Sequence, residues 1–328
     1  MRKGERFFMT YEETKQTADQ YLMLPTRILT PLWWRGRARS SSARKGKATW
    51  TSPPGSALVP WAMAMRLGRR RLQSRQAKLA HTSTVYNPVI AQAAKLLCEK
   101  SGFARVFFAN SGAEANECAM KLARKYSFDT YGAGRSTIVT LKNSFHGRTM
   151  ETLTATGQDE LHQYFDPFPP GFRYAAANDL DALKAAIDET VCAVMMEPVQ
   201  GEGGVQPLDA DFVHKASELC REKDILLIFD EVQTGVGRTG KLYAWEHFGV
   251  RPDILTSAKG LGGGLPVGAC LCVERLGAVM GQAHMAAPLA ATQSSGAGVC
   301  EVLSRMEEPL FQQVRQRGGV PAGYAFQM

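Results

Sequence analysis

Between about Tyr86 and Met280, short apolar runs rich in β-branched residues alternate with stretches of helical periodicity. The apolar runs are 106–109, 137–141, 191–199, 225–232, 254–257 and 269–273, and the helical stretches are 90–99, 111 to about 126, 179–189 and 210–223. Beyond Met280, the sequence predicts one further short helical piece near 300–316. Strands flanked by helices at this spacing predict an α/β fold, in which helices cover both faces of a mostly parallel sheet.

The composition agrees with a globular chain. Of its 328 residues, 45% are hydrophobic and 21% are charged, which excludes a wholly disordered chain, a collagen and a coiled coil. No stretch approaches the roughly 18 apolar residues that a membrane span needs, and the first residues lack the apolar run of a signal peptide, so we expect a cytoplasmic protein. The seven cysteines are scattered, and the pair Cys270 and Cys272 lacks a second ligand pair, so we expect reduced thiols and no metal site.

The net charge of +8 comes from one block, because fourteen Lys and Arg but no acid lie between Asp19 and Glu99. Residues 28–77 hold most of this charge together with four of the five tryptophans, and they show no sustained apolar period. Clustered arginines beside aromatic rings suit a nucleic-acid or membrane-surface arm. A poorly ordered segment is the interpretation we favour, since no recognised binding module accompanies the block.

In open parallel sheets, ligands bind at the carboxyl ends of the strands. Polar residues directly after apolar runs are therefore candidate site residues. Asn110-Ser111-Gly112-Ala113 follows one run and opens a helix, where exposed N–H groups and the helix dipole favour an anion such as phosphate. A plain N-cap by Ser111 explains the same residues equally well.

Two further strand ends carry charged residues. Asp230 follows five apolar residues, and a buried carboxylate needs a cation or several donors, although a capping aspartate is common at such a position. Lys259 stands between a short strand and a glycine-rich turn, where burial would lower the pKa of its amine and make it a nucleophile. A solvated lysine is the plainer interpretation.

A fourth strand end carries the motif Ser144-Phe145-His146-Gly147-Arg148-Thr149, whose ring and guanidinium could stack on a flat ligand and hold a carboxylate. The segment 235–240 matches G-x-G-x-x-G and most of a P-loop. Leu242 stands where the P-loop needs Ser or Thr, and residues 230–234 separate these glycines from the strand, so we reject both nucleotide motifs.

Together, an anion cup, a ring stacker, a buried aspartate and an activated lysine are what pyridoxal phosphate requires. From about Lys78 to Met280 the sequence also resembles the class III (ω-amino acid) aminotransferases, with a shorter match at 10–23. The matching motifs are NSGAEANE (110–117), SFHGRT (144–149), TATGQ…PFPPGF (154–172), EPVQGEGGV (197–205), FDEVQTGVGRTG (229–240) and AKGLGGGLPVGA (258–269).

The resemblance implies the aspartate-aminotransferase fold (fold type I), with a large α/β domain, a small domain made from both chain ends, and a homodimer. It implies that Lys259 is the Schiff-base lysine, Asp230 the partner of the pyridinium nitrogen and Gln233 a donor to the phenolic oxygen of the cofactor. By the same resemblance, Gly112 and Ala113 would bind the phosphate.

The remaining expected site residues contact the ring or the substrate. Phe145 and Val232 would sandwich the cofactor ring, Arg148 would hold the α-carboxylate of the substrate, and Glu202 would be the gating glutamate. The implied reaction, placed in arginine biosynthesis, moves an amino group from N-acetylornithine to 2-oxoglutarate and gives glutamate. Ornithine, succinylornithine and 4-aminobutyrate are alternative donors, because enzymes that use them share this framework.

The resemblance divides the chain into an N-terminal segment (1–27), the unmatched basic block (28–77), a large cofactor-binding domain (78–280) and a partial small-domain segment (281–328). Because family-like segments flank unrelated ones, we hypothesise that out-of-frame stretches interrupt an ancestral coding sequence. Three function classes follow: an active aminotransferase, an inactive or unstable remnant of one, and a nucleic-acid binder that uses the basic block.

Overall fold

The structure is a computed structural model that describes residues 88–280 and 292–317. The predicted N-terminal segment 1–27 and basic block 28–77 lie outside the described residues, as do 78–87, 281–291 and 318–328. The expected boundaries at 27, 77 and 280 therefore stay predictions.

Nine strands are described: β1 (Arg105–Ala109), β2 (Thr137–Leu141), β3 (Phe172–Ala175), β4 (Val191–Met196), β5 (Val199–Gln200), β6 (Gln206–Pro207), β7 (Leu226–Asp230), β8 (Ile254–Ser257) and β9 (Gly268–Cys272). Seven of them form one sheet in the order β1-β9-β8-β7-β4-β2-β3, and β5 pairs with β6 in a small hairpin. The four pairings among β8, β7, β4, β2 and β3 are parallel, and β9 runs antiparallel to both of its neighbours. The expected mostly parallel sheet is confirmed.

The described helices are α1 (Pro88–Ser101), α2 (Gly112–Tyr131), α3 (Met150–Ala155), α4 (Leu180–Ala186), α5 (Ala210–Glu222), α6 (Trp245–Phe248), α7 (Gln293–Leu303) and α8 (Glu308–Arg317). Short 3-10 turns occur at Asp159–Leu161, Lys259–Gly262 and Glu274–Leu276. None of these helices combines the length and the apolar character that a membrane span requires.

Both faces of the sheet are covered, which explains the unbroken apolar runs in the sequence. Every residue of β4, β7 and β8 is buried. Ala193 and Ile228 pack with Met120 of α2 on one face, while Val194 and Phe229 pack with residues of α4 and α5 on the other. A strand buried on both sides has no polar face, so its sequence does not alternate.

The helices near the end of the described chain correct one expectation. The sequence predicts a helical piece only at about 300–316, but α7 begins at Gln293, where the Thr292 hydroxyl caps it by accepting from Ser295 N at 3.1 Å. A Cβ on Gly296 would lie 2.7 Å from Ile90 Cδ1 of α1. The small residues of this stretch, which suggest a loop, therefore allow α7 to pack closely on α1.

Candidate active site

A cavity of about 400 Å³ opens at the edge of the sheet where the parallel strands end. All nine residues singled out in the sequence line it: Gly112, Ala113, Phe145, Arg148, Glu202, Asp230, Val232, Gln233 and Lys259. They come from five separate segments of the chain. Parallel strands bring their carboxyl ends to one edge, so the topology accounts for this convergence.

Asp230 is the last residue of β7, and its carboxylate is buried. Its Oδ2 accepts from Asn116 Nδ2 at 2.7 Å and lies 2.8 Å from His146 Nδ1, which donates when that nitrogen carries the proton. Its Oδ1 accepts from Val232 N at 3.0 Å. No lysine or arginine pairs with Asp230 in the described part of the chain. The expected group of donors is present, and a fixed protein cation is not among them.

A second layer of hydrogen bonds holds these donors in place. Asn116 lies one turn after Gly112 on the buried face of α2, and its Oδ1 accepts from Thr256 Oγ1 of β8 at 2.6 Å. Its Nδ2 also donates to the backbone oxygen of His146 at 2.7 Å. Thr256 Oγ1 lies 3.5 Å from Asp230 Oδ1 as well. Asn116 therefore joins α2, β7, β8 and the 144–149 motif at one point.

Lys259 follows β8 and begins a 3-10 turn with φ of +44°. This left-handed conformation is uncommon for a residue with a Cβ, and such strain concentrates at functional positions. The Lys259 amine donates to Gln233 Oε1. Burial is the main cause that lowers the pKa of Lys259, while the negative charges of Asp230 and Glu202 oppose that shift. The sequence-based expectation of a partly buried lysine is confirmed.

The cup predicted at the start of α2 is also an N-cap. Ser111 Oγ accepts from Glu114 N at 3.2 Å, and the Glu114 carboxylate accepts from Asn110 N at 2.9 Å. A Cβ on Gly112 would lie 2.8 Å from Val232 Cγ1, so only glycine lets this backbone approach the opposite wall so closely. The two interpretations of this motif are therefore compatible, since capping by Ser111 leaves Gly112 and Ala113 in the cavity wall.

The mouth of the cavity carries both charges that the resemblance assigns to substrate contact. Arg148 and Glu202 are exposed, and the guanidinium carbon of Arg148 lies 5.5 Å from the centroid of the Phe145 ring. Behind this ring, Glu197 Oε2 accepts from Phe145 N at 2.9 Å. Burial, followed by the charge of Asp230, raises the pKa of Glu197 well above its usual value.

Sequence reasoning assigns no role to three polar side chains of the cavity wall: Asn116, His146 and Glu197. His146 belongs to the motif that was chosen for its neighbours Phe145 and Arg148. Glu197 directly follows β4, so the rule that polar residues after strands are informative could have found it. Asn116 could have been found from the helical spacing of four residues after Gly112.

The glycine-rich segment 235–240, rejected as a nucleotide motif, packs against α8. A Cβ on Gly237 would lie 3.1 Å from Met306 Sδ, and a Cβ on Gly240 would lie 2.5 Å from Arg315 Cγ. The Arg315 guanidinium also donates to the backbone oxygen of Gly240. The absence of a side chain at these two glycines therefore lets the segment 235–240 pack closely against α8 and the residue Met306 before it.

The sequence is similar to known aminotransferases. The family model for class III aminotransferases matches residues 70–319. The acetylornithine aminotransferase of Haemophilus ducreyi is 50% identical over 243 residues, which cover 74% of this chain and 62% of that enzyme. The succinylornithine transaminase of Citrobacter koseri is 46% identical over 274 residues, which cover 83% of this chain and 67% of that enzyme.

Solved structures give the same result. The ornithine aminotransferase of Toxoplasma gondii superposes with a TM-score of 0.78 at 26% identity, over 95% of this chain and 74% of that one. The PLP-bound amine transaminase of an uncultivated Pseudomonas species superposes with a TM-score of 0.64 at 28% identity, over 76% of this chain and 63% of that one. The chain thus spans about 62% of the length of the Haemophilus relative. With most of its length matched by the family model and the fold shared with these structures, the chain belongs to the class III aminotransferase family.

Proposed function

We propose that this protein catalyses a transamination with pyridoxal phosphate (PLP), moving an amino group from N-acetylornithine or a similar ω-amino donor to 2-oxoglutarate and giving glutamate. The observation that carries the proposal is that a partly buried lysine amine shares one cavity wall with a buried carboxylate, which pairs with no lysine or arginine of the described chain. Family membership implies the cofactor. The identity of the amino donor is a separate part of the proposal.

The residues present fit this cofactor. Asp230 accepts amide, imidazole and backbone N–H groups but pairs with no lysine or arginine of the described chain, so a protonated ring nitrogen would supply the positive charge that its burial favours. When bound, PLP supplies an aldehyde for an amine to attack and a ring that takes up electron density from the substrate. Asp230 would keep the ring nitrogen protonated.

Other wall residues suit the rest of the cofactor. The backbone of Gly112 and Ala113 lies at the positive end of the α2 dipole, which favours a phosphate group. Phe145 and Val232 would bound the ring. Gln233 accepts from Lys259 through Oε1, so its Nε2 can donate to the phenolic oxygen.

Lys259 has two tasks in this proposal. Its amine would hold the cofactor covalently, and once free it would act as the base and acid that moves a proton of the substrate. A lowered pKa raises the fraction of neutral amine, which both tasks require. Arg148, at the mouth, would hold the α-carboxylate of the donor, and the negative charge of Glu202 lies at the same opening.

The choice of donor rests on the relatives. Two of them are named for acetylornithine and succinylornithine, and one solved structure is an ornithine aminotransferase. N-acetylornithine heads the proposal because the corresponding relative has the higher identity of the two sequences. Ornithine, succinylornithine and 4-aminobutyrate are alternatives, and the proposed assembly is a homodimer, as the family resemblance implies.

The test is a panel of these four donors, each with 2-oxoglutarate, in which released glutamate is measured. We expect the largest kcat/KM with N-acetylornithine and no glutamate from Lys259→Ala. The matched control is Lys142→Ala, which removes an exposed lysine outside the cavity and should keep full activity. Glutamate release that survives Lys259→Ala would contradict the proposal. Cofactor binding without glutamate from any donor would identify an inactive remnant instead.

A further inference from the structure

Glu231 is a buried carboxylate that the proposed reaction does not use. It follows Asp230 but does not line the cavity, and it is fully buried. Its Oε2 accepts from Ala244 N at 2.6 Å and from Thr234 Oγ1 at 3.0 Å, and its Oε1 accepts from Trp245 N at 2.8 Å. We call this carboxylate with its three donors the Glu231 anchor. It ties the turn after β7 to the start of α6.

That turn carries two residues of the cavity wall. Val232 and Gln233 lie between Glu231 and Thr234, and Gln233 accepts from the Lys259 amine. The backbone oxygen of Glu231 accepts from Gly235 N at 2.9 Å, and a Cβ on Gly235 would lie only 2.7 Å from that oxygen. Both ends of the short segment 232–233 are therefore fixed through Glu231.

The charge of Glu231 is finely balanced. Burial raises its pKa to about 7, whereas the three donors favour the ionised form. Two titratable groups of the described chain interact with it, and both are acids: Tyr243 and Glu246, on the segment that packs against the turn. No lysine or arginine pairs with Glu231 within the ranges that the structure describes. The carboxyl group of Glu231 therefore changes its protonation state near neutral pH.

We propose that Glu231 is a positioning residue: the Glu231 anchor holds Gln233 and Val232 in the cavity wall, and protonation of its carboxylate loosens the turn that carries them. A carboxylate oxygen that gains a proton becomes a donor. It then no longer accepts a hydrogen bond from the N–H group in front of it. The effect on the cofactor rests on the proposed function. The effect on the turn rests on the described contacts alone.

The first experiment measures the PLP dissociation constant by absorbance titration at about pH 6 and about pH 8, on either side of the pKa of about 7. We compare the unchanged protein with Glu231→Gln and with the control Glu246→Gln. Glu246 accepts from Tyr243 N at 2.8 Å in the same segment but does not bond the turn. Ionisation of the cofactor itself affects all three proteins alike.

At about pH 8, we expect Glu231→Gln to bind PLP about tenfold more weakly than the other two proteins, the size expected for one lost hydrogen bond to a charged group. At about pH 6, where the anchor is protonated, we expect Glu231→Gln and the unchanged protein to differ little. Equal affinities of Glu231→Gln and Glu246→Gln at both pH values would overturn the proposal.

The second experiment is hydrogen–deuterium exchange of the cofactor-free proteins. Glu231→Gln should speed exchange in peptides covering 231–237, and Glu246→Gln should not. If Glu231→Gln does not fold, the pH dependence of exchange in the unchanged protein tests the proposal. Exchange in 231–237, corrected for the intrinsic rate, should be faster at about pH 6 than at about pH 8. An unchanged rate would overturn the proposal.

Failure of the proposed function would give a different result. In that case the unchanged protein binds no PLP, while hydrogen–deuterium exchange still tests the Glu231 anchor.

Discussion

The Nδ1 of His146 lies 2.8 Å from Oδ2 of Asp230, and the two side chains are exposed by only 0% and 3%. Asn116 donates to the same oxygen from the other side. A carboxylate held by two donors on one oxygen cannot rotate without breaking both hydrogen bonds. His146 and Asn116 therefore fix the direction in which Asp230 faces the cavity.

The first prediction concerns His146→Ala. Removing the imidazole leaves Oδ2 of Asp230 with one donor fewer, so we expect PLP to bind about tenfold more weakly, as loss of a hydrogen bond to a charged group implies. Absorbance titration with PLP measures this. His162→Ala is the control, because His162 lies outside the cavity wall with Nε2 2.9 Å from Leu153 O. Equal affinities of the two variants would show that His146 does not support Asp230.

The second prediction concerns Asn116→Asp. The substitution places a second carboxylate 2.7 Å from Asp230, where both cannot be ionised. One carboxyl of the pair then has a pKa above its unfolded value, so the unfolded chain releases this proton first and the fold loses stability as pH rises between the two values. We expect the free energy of unfolding to fall by about 1–3 kcal/mol at neutral pH and by less in acid. Urea unfolding at two pH values measures it, and a loss independent of pH would contradict this account.

Much of the site could be predicted from sequence because its residues sit directly after apolar runs, and parallel strands bring those positions together. This rule singles out Asp230 and Lys259, and both line the cavity. The bond between Asn116 and Asp230 could not be predicted, since 114 residues separate them and only the packing of α2 on the sheet makes them neighbours.

The third prediction concerns Gly112→Ala. The new Cβ would lie 2.8 Å from Val232 Cγ1 and 3.0 Å from Cγ2, so one wall must move. We expect PLP affinity to fall by about tenfold, the size expected when one backbone hydrogen bond to the charged phosphate is lost. Val232→Ala removes the contacting methyl groups, so Gly112→Ala should cost less PLP affinity in the Val232→Ala background than in the unchanged protein. An equal cost in both backgrounds would show that the contact with Val232 is not the cause.

The fourth prediction concerns the amine of Lys259. Because burial lowers its pKa, the unfolded chain binds this proton more tightly, so the contribution of Lys259 to stability rises with pH between its folded pKa and its ordinary value. In the cofactor-free protein, we expect an amine-reactive reagent to label Lys259 at lower pH than the exposed Lys142. Mass spectrometry of labelled peptides across a pH series measures both lysines at once. Coincident pH profiles would contradict the burial argument.

The elements that sequence reasoning missed have weak local signals. The strand β3 is short, lies at the edge of the sheet, and has three of its four residues only partly buried, so its sequence lacks an apolar run. The helix α2 continues to Tyr131, five residues beyond its expected end, because Ser127 Oγ bonds Arg135 O at 2.7 Å and Gly132 N closes the last turn on Phe128 O. Tertiary contacts and caps of this kind are invisible to periodicity.

The proposed bond between Lys259 and PLP can be measured directly. The protein is incubated with PLP, reduced with borohydride to make the lysine bond permanent, digested, and the modified peptide is identified by mass spectrometry. We expect the phosphopyridoxyl mass on Lys259 and its loss in Lys259→Ala. A modification found only on other lysines, or on none, would contradict it.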